Sequence, residues 1–281
     1  MTSVDNVIKR VRDLPSLPAV VVELMASVEQ EDIDTHALAS KITLDQGLAA
    51  KTLRLANSSF YGMPTKVTTI HQAISVLGFH SIRTLVTACS VTASFAPGKD
   101  AGFDLEAFWR HSIGTAVCAR VLAPYFKLNP DTAFTAGLLH DLGTLVLATG
   151  YPEEYRQVGA HRQQHDCQAA EAEQAVFGID HAAVGSALAA HWKFPLAIQR
   201  AVAGHHQADI GGAGAAATPA TVVCLANVLA HALDLSEQED DQVPPLPLEL
   251  WRSLTLNKAD WHAVFERTEL TFHDMCQVLS P

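Results

Sequence analysis

The sequence predicts an all-α protein in which an N-terminal bundle of short helices packs on a larger helical bundle. Three observations predict it. Apolar residues recur at i, i+3, i+4 and i+7 through most of the chain, the spacing that lines one face of a helix. No segment alternates apolar and polar residues for the length of a strand. Asp, Thr and Pro stand ahead of the periodic stretches and Gly behind some of them, the chemistry of helix starts and stops.

In chain order, Pro18 to Glu29 sets Val21, Leu24, Met25 and Val28 on one helix face. Asp34 caps Thr35 to Ile42, and Asp45 caps the next helix, whose Leu48, Lys51, Thr52 and Leu55 lead into the turn Asn57-Ser58-Ser59. After Pro64, Thr69 starts Ile70 to Leu77, Gly78 stops it, and Ser81 to Phe95 follows. These connections have the short lengths common between packed helices. Ala96-Pro97-Gly98-Lys99-Asp100-Ala101-Gly102 is the clearest internal boundary, rich in turn-forming residues. Beyond it the helices lengthen: Leu105 to Phe126, Thr132 to Leu147, and His161 to Phe177. Asp180 then caps a helix through Trp192, Phe194-Pro195 introduces one through Gly204, and Pro219 to Leu233 forms another. Gly211 to Thr218 reads as a Gly/Ala-rich mobile loop, Ser236 to Pro247 as an acidic, proline-rich linker, and Leu248 to Leu279 as a helical tail. The expected units are residues 1–98, 99–235 and 236–281.

With 281 residues, 48% of them hydrophobic, the chain can bury a sizeable core. Its net charge of −11 repels a phosphate backbone and no Lys/Arg cluster offsets it, so no direct nucleic-acid partner is expected. Ser81-Ile82-Arg83 after Phe79-His80 reads as core packing rather than a helix-turn-helix element. The five cysteines are scattered and form no C-x-x-C pair, which suits reduced thiols in a cytosolic protein. Met1 to Leu17 lacks an apolar leader, and no apolar run reaches the ~18 residues of a membrane span. The expected localisation is cytoplasmic, with no membrane partner; the sequence sets no oligomeric state.

The 14 histidines are the unusual feature, because a buried imidazole needs partners for its nitrogens. In Gly137-Leu138-Leu139-His140-Asp141-Leu142-Gly143, a His and an Asp sit side by side within an apolar stretch. Adjacent helical residues point about 100° apart, so both reach one ion only near a helix crossing, where neighbouring helices add ligands. His111 lies on the apolar stripe Phe108, His111, Thr115, Cys118 and Leu122; His181 lies on His181, Gly185, Leu188 and Trp192; His205-His206 ends an apolar helix. Any one of these histidines alone reads as a hydrogen-bonded core residue. The series His111, His140-Asp141, His181, His205-His206 reads as a metal site, one or two ions of Fe, Mn, Zn or Ni at partial occupancy. The remaining histidines, His191 and His231 among them, read as structural or exposed.

This series resembles the HD superfamily of metal-dependent phosphohydrolases, whose motif runs His, His-Asp and a late Asp on one bundle. The enlarged HD-GYP form adds a His and a His-His pair, which His181 and His205-His206 match. The N-terminal half resembles the HDOD family: Leu14-Pro15-Ser16-Leu17-Pro18, then Asp45-Gln46-Gly47-Leu48-Ala49-Ala50-Lys51-Thr52-Leu53-Arg54-Leu55-Ala56-Asn57-Ser58, then Ile70-His71-Gln72-Ala73-Ile74-Ser75-Val76-Leu77-Gly78, then Phe134 to Asp141. The resemblance spans Val11 to Leu233 and implies an HD-like bundle for the second unit.

Three departures follow from the comparison of motifs. Asn227 stands where the late Asp belongs, and an amide is a weaker ligand that cannot act as a carboxylate base. Thr144 stands where a Lys often follows the HD dipeptide. Gln207-Ala208-Asp209-Ile210 follows the His pair, so the HD-GYP signature is missing and a cyclic di-GMP phosphodiesterase is not expected.

Resemblance to HDOD implies a bacterial signal-transduction regulator with protein partners in a signalling pathway, contacted through its N-terminal helices, and with a degenerate HD metal site. The rival reading is a metal-dependent phosphohydrolase acting on a nucleotide or other phosphate ester, with His140 and Asp141 as candidate catalytic residues; the lost Asp and Lys count against it. A metal or redox sensor using the same residues is a third. The fold reading is checked by far-UV circular dichroism: a spectrum dominated by helix is expected, and substantial β content would overturn it.

Overall fold

The computed structural model describes residues 4–12, 17, 19–26, 34–58, 61–94, 103–207, 217–238, 242–246, 248–254 and 256–279. Every regular element among them is helical. The first is α1 (Val4–Arg12), followed by α2 (Ala19–Ala26), α3 (Thr35–Leu44), α4 (Gln46–Ala56), α5 (Ile70–Leu77) and α6 (Phe79–Ser94). Then come α7 (Leu105–Leu122), a 3-10 turn (Ala123–Phe126), α8 (Pro130–Leu139), α9 (Leu142–Gly150), α10 (Pro152–His165), α11 (Ala169–Phe177) and α12 (His181–His191). The last are α13 (Leu196–Gly204), α14 (Pro219–Ala232), α15 (Leu248–Ser253) and α16 (Lys258–Leu279).

The expected caps act as expected. Asp34 accepts from His36 N and Ala37 N at 3.0 Å each, Asp45 from Leu48 N at 3.0 Å, Thr69 from Gln72 N at 3.1 Å and Asp180 from Ala183 N at 2.8 Å. Each satisfies an N–H that the first helical turn leaves without a partner. Asn57 closes the loop after α4: its Nδ2 donates to Leu53 O and Val67 O, and its Oδ1 accepts from Val67 N at 2.7 Å.

The structure differs from the expected helix extents at five places. Val4–Arg12 is helical, and α6 starts at Phe79 and runs unbroken through Ser81-Ile82-Arg83, which leaves no turn there. The helix expected over Leu105 to Phe126 tightens into the 3-10 turn after Leu122, where Pro124 removes an N–H from the ladder. The helix expected over His161 to Phe177 begins at Pro152 and breaks at Asp166, whose φ of 49° is left-handed. The helix expected over Thr132 to Leu147 breaks at His140 and Asp141. Val28, the boundary 96–102 and residues 211–216 of the expected loop lie outside the described residues.

α7 is the central rod, packed by α8, α14 and α16, while α12 packs on α9 and α13. α3 to α6 pack on one another and join the larger bundle through α6 against α8; α1 lies against α12 and α9, and α16 reaches α4 and α6. Where α6 meets the larger bundle, the α7 Arg120 pairs with Asp131 near the start of α8, Ser81 Oγ donates to Asp131 Oδ2 at 3.0 Å, and the Arg120 guanidinium lies 5.1 Å from the Tyr61 ring centre. Burial pushes the Tyr61 hydroxyl well above its ordinary range, so it remains neutral. Asp131→Ala would leave Arg120 in this half-buried setting without its carboxylate. With side chains 20% and 13% exposed, the expected loss is about 2–3 kcal/mol, below the usual range for a fully buried pair. Urea denaturation checks it, and an unchanged midpoint would show that the pair contributes nothing.

Candidate metal centre

The break between α8 and α9 builds the site. His140 ends α8, and Asp141, at φ −103° and ψ 11°, begins α9. Asp141 occupies an N-cap position, yet its carboxylate makes no capping bond to its own helix. It turns instead toward the histidines. Oδ2 lies 3.1 Å from His140 Nε2 and 3.6 Å from His111 Nε2. Oδ1 lies 3.3 Å from His181 Nε2 and 3.3 Å from His205 Nε2. One carboxylate therefore faces two imidazole pairs, one with each oxygen.

Two backbone crossings bring those pairs in. A Cβ on Gly137 would sit 2.8 Å from Ala116 Cα, so α8 presses against α7 one turn before His140. A Cβ on Gly143 would sit 2.0 Å from His181 O, with Gly185 on the facing helix, so α9 presses directly against α12. The first contact brings His140 within 3.3 Å of His111 (Nε2 to Nε2); the second brings His181 to Asp141. His205, from the end of α13, lies 3.3 Å from His181, and His206 lies 2.7 Å from it, again Nε2 to Nε2.

The far ring nitrogens settle the tautomers. His140 Nδ1 donates to Gly137 O at 2.7 Å, and His205 Nδ1 donates to Val202 O at 2.7 Å. A carbonyl only accepts, so in the neutral rings both Nε2 atoms present lone pairs inward. His181 Nδ1 donates to Glu173 Oε2 at 2.6 Å, and the same oxygen accepts from His181 N at 2.7 Å. Inward lone pairs at 3.3 Å repel unless a cation lies between them, and outer partners that fix ring orientation are the usual support of metal-ligating imidazoles. The donor set thus fits a transition metal, as two clusters that meet at Asp141: His111, His140 and Asp141, and His181, His205 and His206.

The electrostatics agree. Burial opposes charge on both Asp141 and His181. The neighbouring His140 and His181 nonetheless hold Asp141 well below the usual carboxylate range, and Glu173 with Asp141 holds His181 well above the usual imidazole range. His206, at the exposed edge of the cluster, is held below the usual imidazole range by desolvation against its neighbours and by the adjacent His205 and His181.

All six histidine and aspartate candidates are therefore brought together. Asn227, on α14, is buried, and its Oδ1 has no hydrogen-bond partner among the described residues. His231, one turn later on the same face, has its ring centre 4.3 Å from that of His111, so it stands at the site rather than apart from it. His191 is exposed. Sequence reasoning missed Glu173, fully buried on the α11 stripe Ala169, Ala172, Glu173, Val176 and Phe177; a carboxylate in an apolar stripe was its signal. Tyr155, on α10, lies beside Thr144, and burial with the nearby Glu173 and Asp141 raises its hydroxyl well above the ordinary range.

Gly143→Ala would push α9 away from the α12 backbone. Overpacking of this kind costs about 1–3 kcal/mol, and here it also parts His181 from Asp141. The expected result is a folded but less stable protein that holds less metal by elemental analysis; unchanged content would show that the crossing does not set the site.

The HDOD domain family matches residues 14–208, more than half of the chain. A Shewanella amazonensis protein whose description proposes a phosphohydrolase is 26% identical and superposes with a TM-score of 0.76 over 97% of each chain. An HDOD domain protein of Geobacter sulfurreducens gives a TM-score of 0.70 at 26% identity, over 94% of this chain and 89% of its own. An uncharacterized protein of Treponema pallidum is 25% identical over 253 residues, 88% of this chain, and this chain spans 48% of that relative's length. No helix among the described residues is long and apolar enough to cross a membrane. Motif order, fold and family match agree: the chain belongs to the HDOD family.

Proposed function

We propose that this protein is a signal-transduction regulator that acts through contacts with protein partners, made by the helices of its N-terminal unit, and that its HD site holds metal without efficient catalysis. The observation that supports this is the uneven donor set around Asp141. His181, His205 and His206 with Asp141 Oδ1 offer three imidazoles and a carboxylate oxygen. His111 and His140 with Asp141 Oδ2 offer two imidazoles and a carboxylate oxygen, and the residue at the late Asp of the HD motif, which would complete the set, is the buried Asn227. The first subsite would hold an ion of Fe, Mn, Zn or Ni tightly, and the second weakly.

When bound, such ions supply Lewis acidity toward a phosphoryl oxygen, and a pair of them clamps both the attacking and leaving oxygens. The chain's own residues orient the imidazoles: Glu173 positions His181, and the Gly137 and Val202 carbonyls position His140 and His205. No lysine stands at residue 144 to bind a phosphoryl oxygen; Thr144 lies beside Tyr155. Asp141, which faces one imidazole pair with each carboxylate oxygen and could serve two ions, favours the phosphohydrolase as the second reading.

The test is metal stoichiometry and turnover of a generic phosphodiester for wild type and Asn227→Asp side by side. Expected are substoichiometric loading of the second subsite, little turnover, and increased loading in Asn227→Asp. Robust wild-type hydrolysis abolished by His140→Ala or Asp141→Ala would establish the enzyme reading instead.

A further inference from the structure

The chain beyond the HDOD match carries a surface of a different kind. α15 and α16 bring three rings into a near-parallel ladder: Trp251 lies 6.2 Å from Trp261 at an interplanar angle of 20°, and Trp261 lies 6.0 Å from Phe265 at 26°. Trp251 is 55% exposed, Phe265 39%, and Leu248, three residues before Trp251, 58%. Neighbouring exposed apolar side chains of this size mark a contact surface rather than ordinary scatter.

Phe265 also lines a groove of about 350 Å³ between α16 and the end of α14. Its wall includes Phe272 and Arg110, whose guanidinium lies 5.4 Å from the Phe272 ring centre and pairs with Glu237. Leu233, 38% exposed, lines it together with the carboxylates of Asp234 and Glu269. From Asp234 to Leu279 the described residues hold seven acidic and three basic residues, so this part of the chain is net negative.

A groove in which Leu233, Phe265 and Phe272 stand among the carboxylates of Asp234, Glu237 and Glu269, beside an aromatic ladder, selects its occupant by charge. We propose that this surface docks a basic amphipathic helical segment of a protein partner. An aliphatic or aromatic anchor sits in the groove against Phe265 and Leu233, Lys or Arg side chains meet Asp234 and Glu269, and one cation lies over the Trp251 face. A second copy of this chain is the wrong occupant, because a two-fold contact would lay the acidic face on itself. The proposal is independent of what the metal centre does.

The test uses the full chain and a labelled helical Lys/Leu peptide, read by fluorescence polarisation against a Glu/Leu peptide of the same period. Expected are binding of the Lys/Leu peptide alone, weakening with added salt, and loss of about tenfold or more in affinity in Trp251→Ala, Phe265→Ala and Glu269→Lys, as for hot-spot positions. Glu153→Lys, an equal charge change on exposed α10, leaves binding within about twofold, which separates a site from the overall field. Circular dichroism confirms that each variant is folded. Absence of wild-type binding, equal loss in Glu153→Lys, or insensitivity to Trp251→Ala and Phe265→Ala overturns the proposal. So does Trp251-dependent partition into phosphatidylcholine vesicles without peptide binding, or a wild-type dimer that Trp251→Ala dissociates.

Discussion

The carboxylate of Asp141 organises this protein. A largely buried carboxylate surrounded by imidazole nitrogens is stable only if charge of the opposite sign is available and every donor is aimed. That demand reaches far from the site. It requires a helix to stop at His140, so that the next residue can leave the helical path and turn its side chain inward. It requires α7 and α12 to approach the broken helix from opposite sides at backbone contact, which only glycine permits at Gly137 and Gly143. It also requires a second carboxylate, the fully buried Glu173, to hold His181.

The remaining architecture supports those distances. α7 carries His111 in its middle and Arg120 near its end, so the rod that furnishes a site residue also anchors α8 through Asp131. α8 runs from that ion pair to the HD dipeptide over about 15 Å of helix. The contact between the N-terminal helices and the larger bundle, made by Ser81 on the same Asp131, is therefore built into the element that ends at the site.

Much of this was legible in the sequence. Capping residues Asp34, Asp45, Thr69 and Asp180 announced their helices, because a side chain that accepts from the first turn leaves a local signature. The spacing of His111, His140-Asp141, His181 and His205-His206 announced one site, because each fell on or at the end of an apolar helix. The break at His140 and Asp141 was hidden, since interrupting a helix for two residues leaves the apolar stripes of Phe134 to Leu139 and Leu142 to Val146 intact on both sides. The kink at Asp166 carried no Gly or Pro to mark it. Glu173 carried a signal of its own, a carboxylate in an apolar stripe, but its partner, like the place of His231, depends on which helices pack together, which periodicity within one helix does not encode; the aromatic ladder joins Trp251 to Trp261 across two helices in the same way.

The fully buried Glu173 has a further consequence in electroneutrality. With neutral imidazoles, Asp141 and Glu173 give the cavity a charge of −2, which one divalent ion cancels. A second divalent ion would leave the cavity at +2, and burying unbalanced charge is costly. An aspartate at residue 227 would halve that excess, whereas Asn227 leaves all of it, so a doubly loaded centre in this chain would need an anion from outside the protein to complete its charge balance.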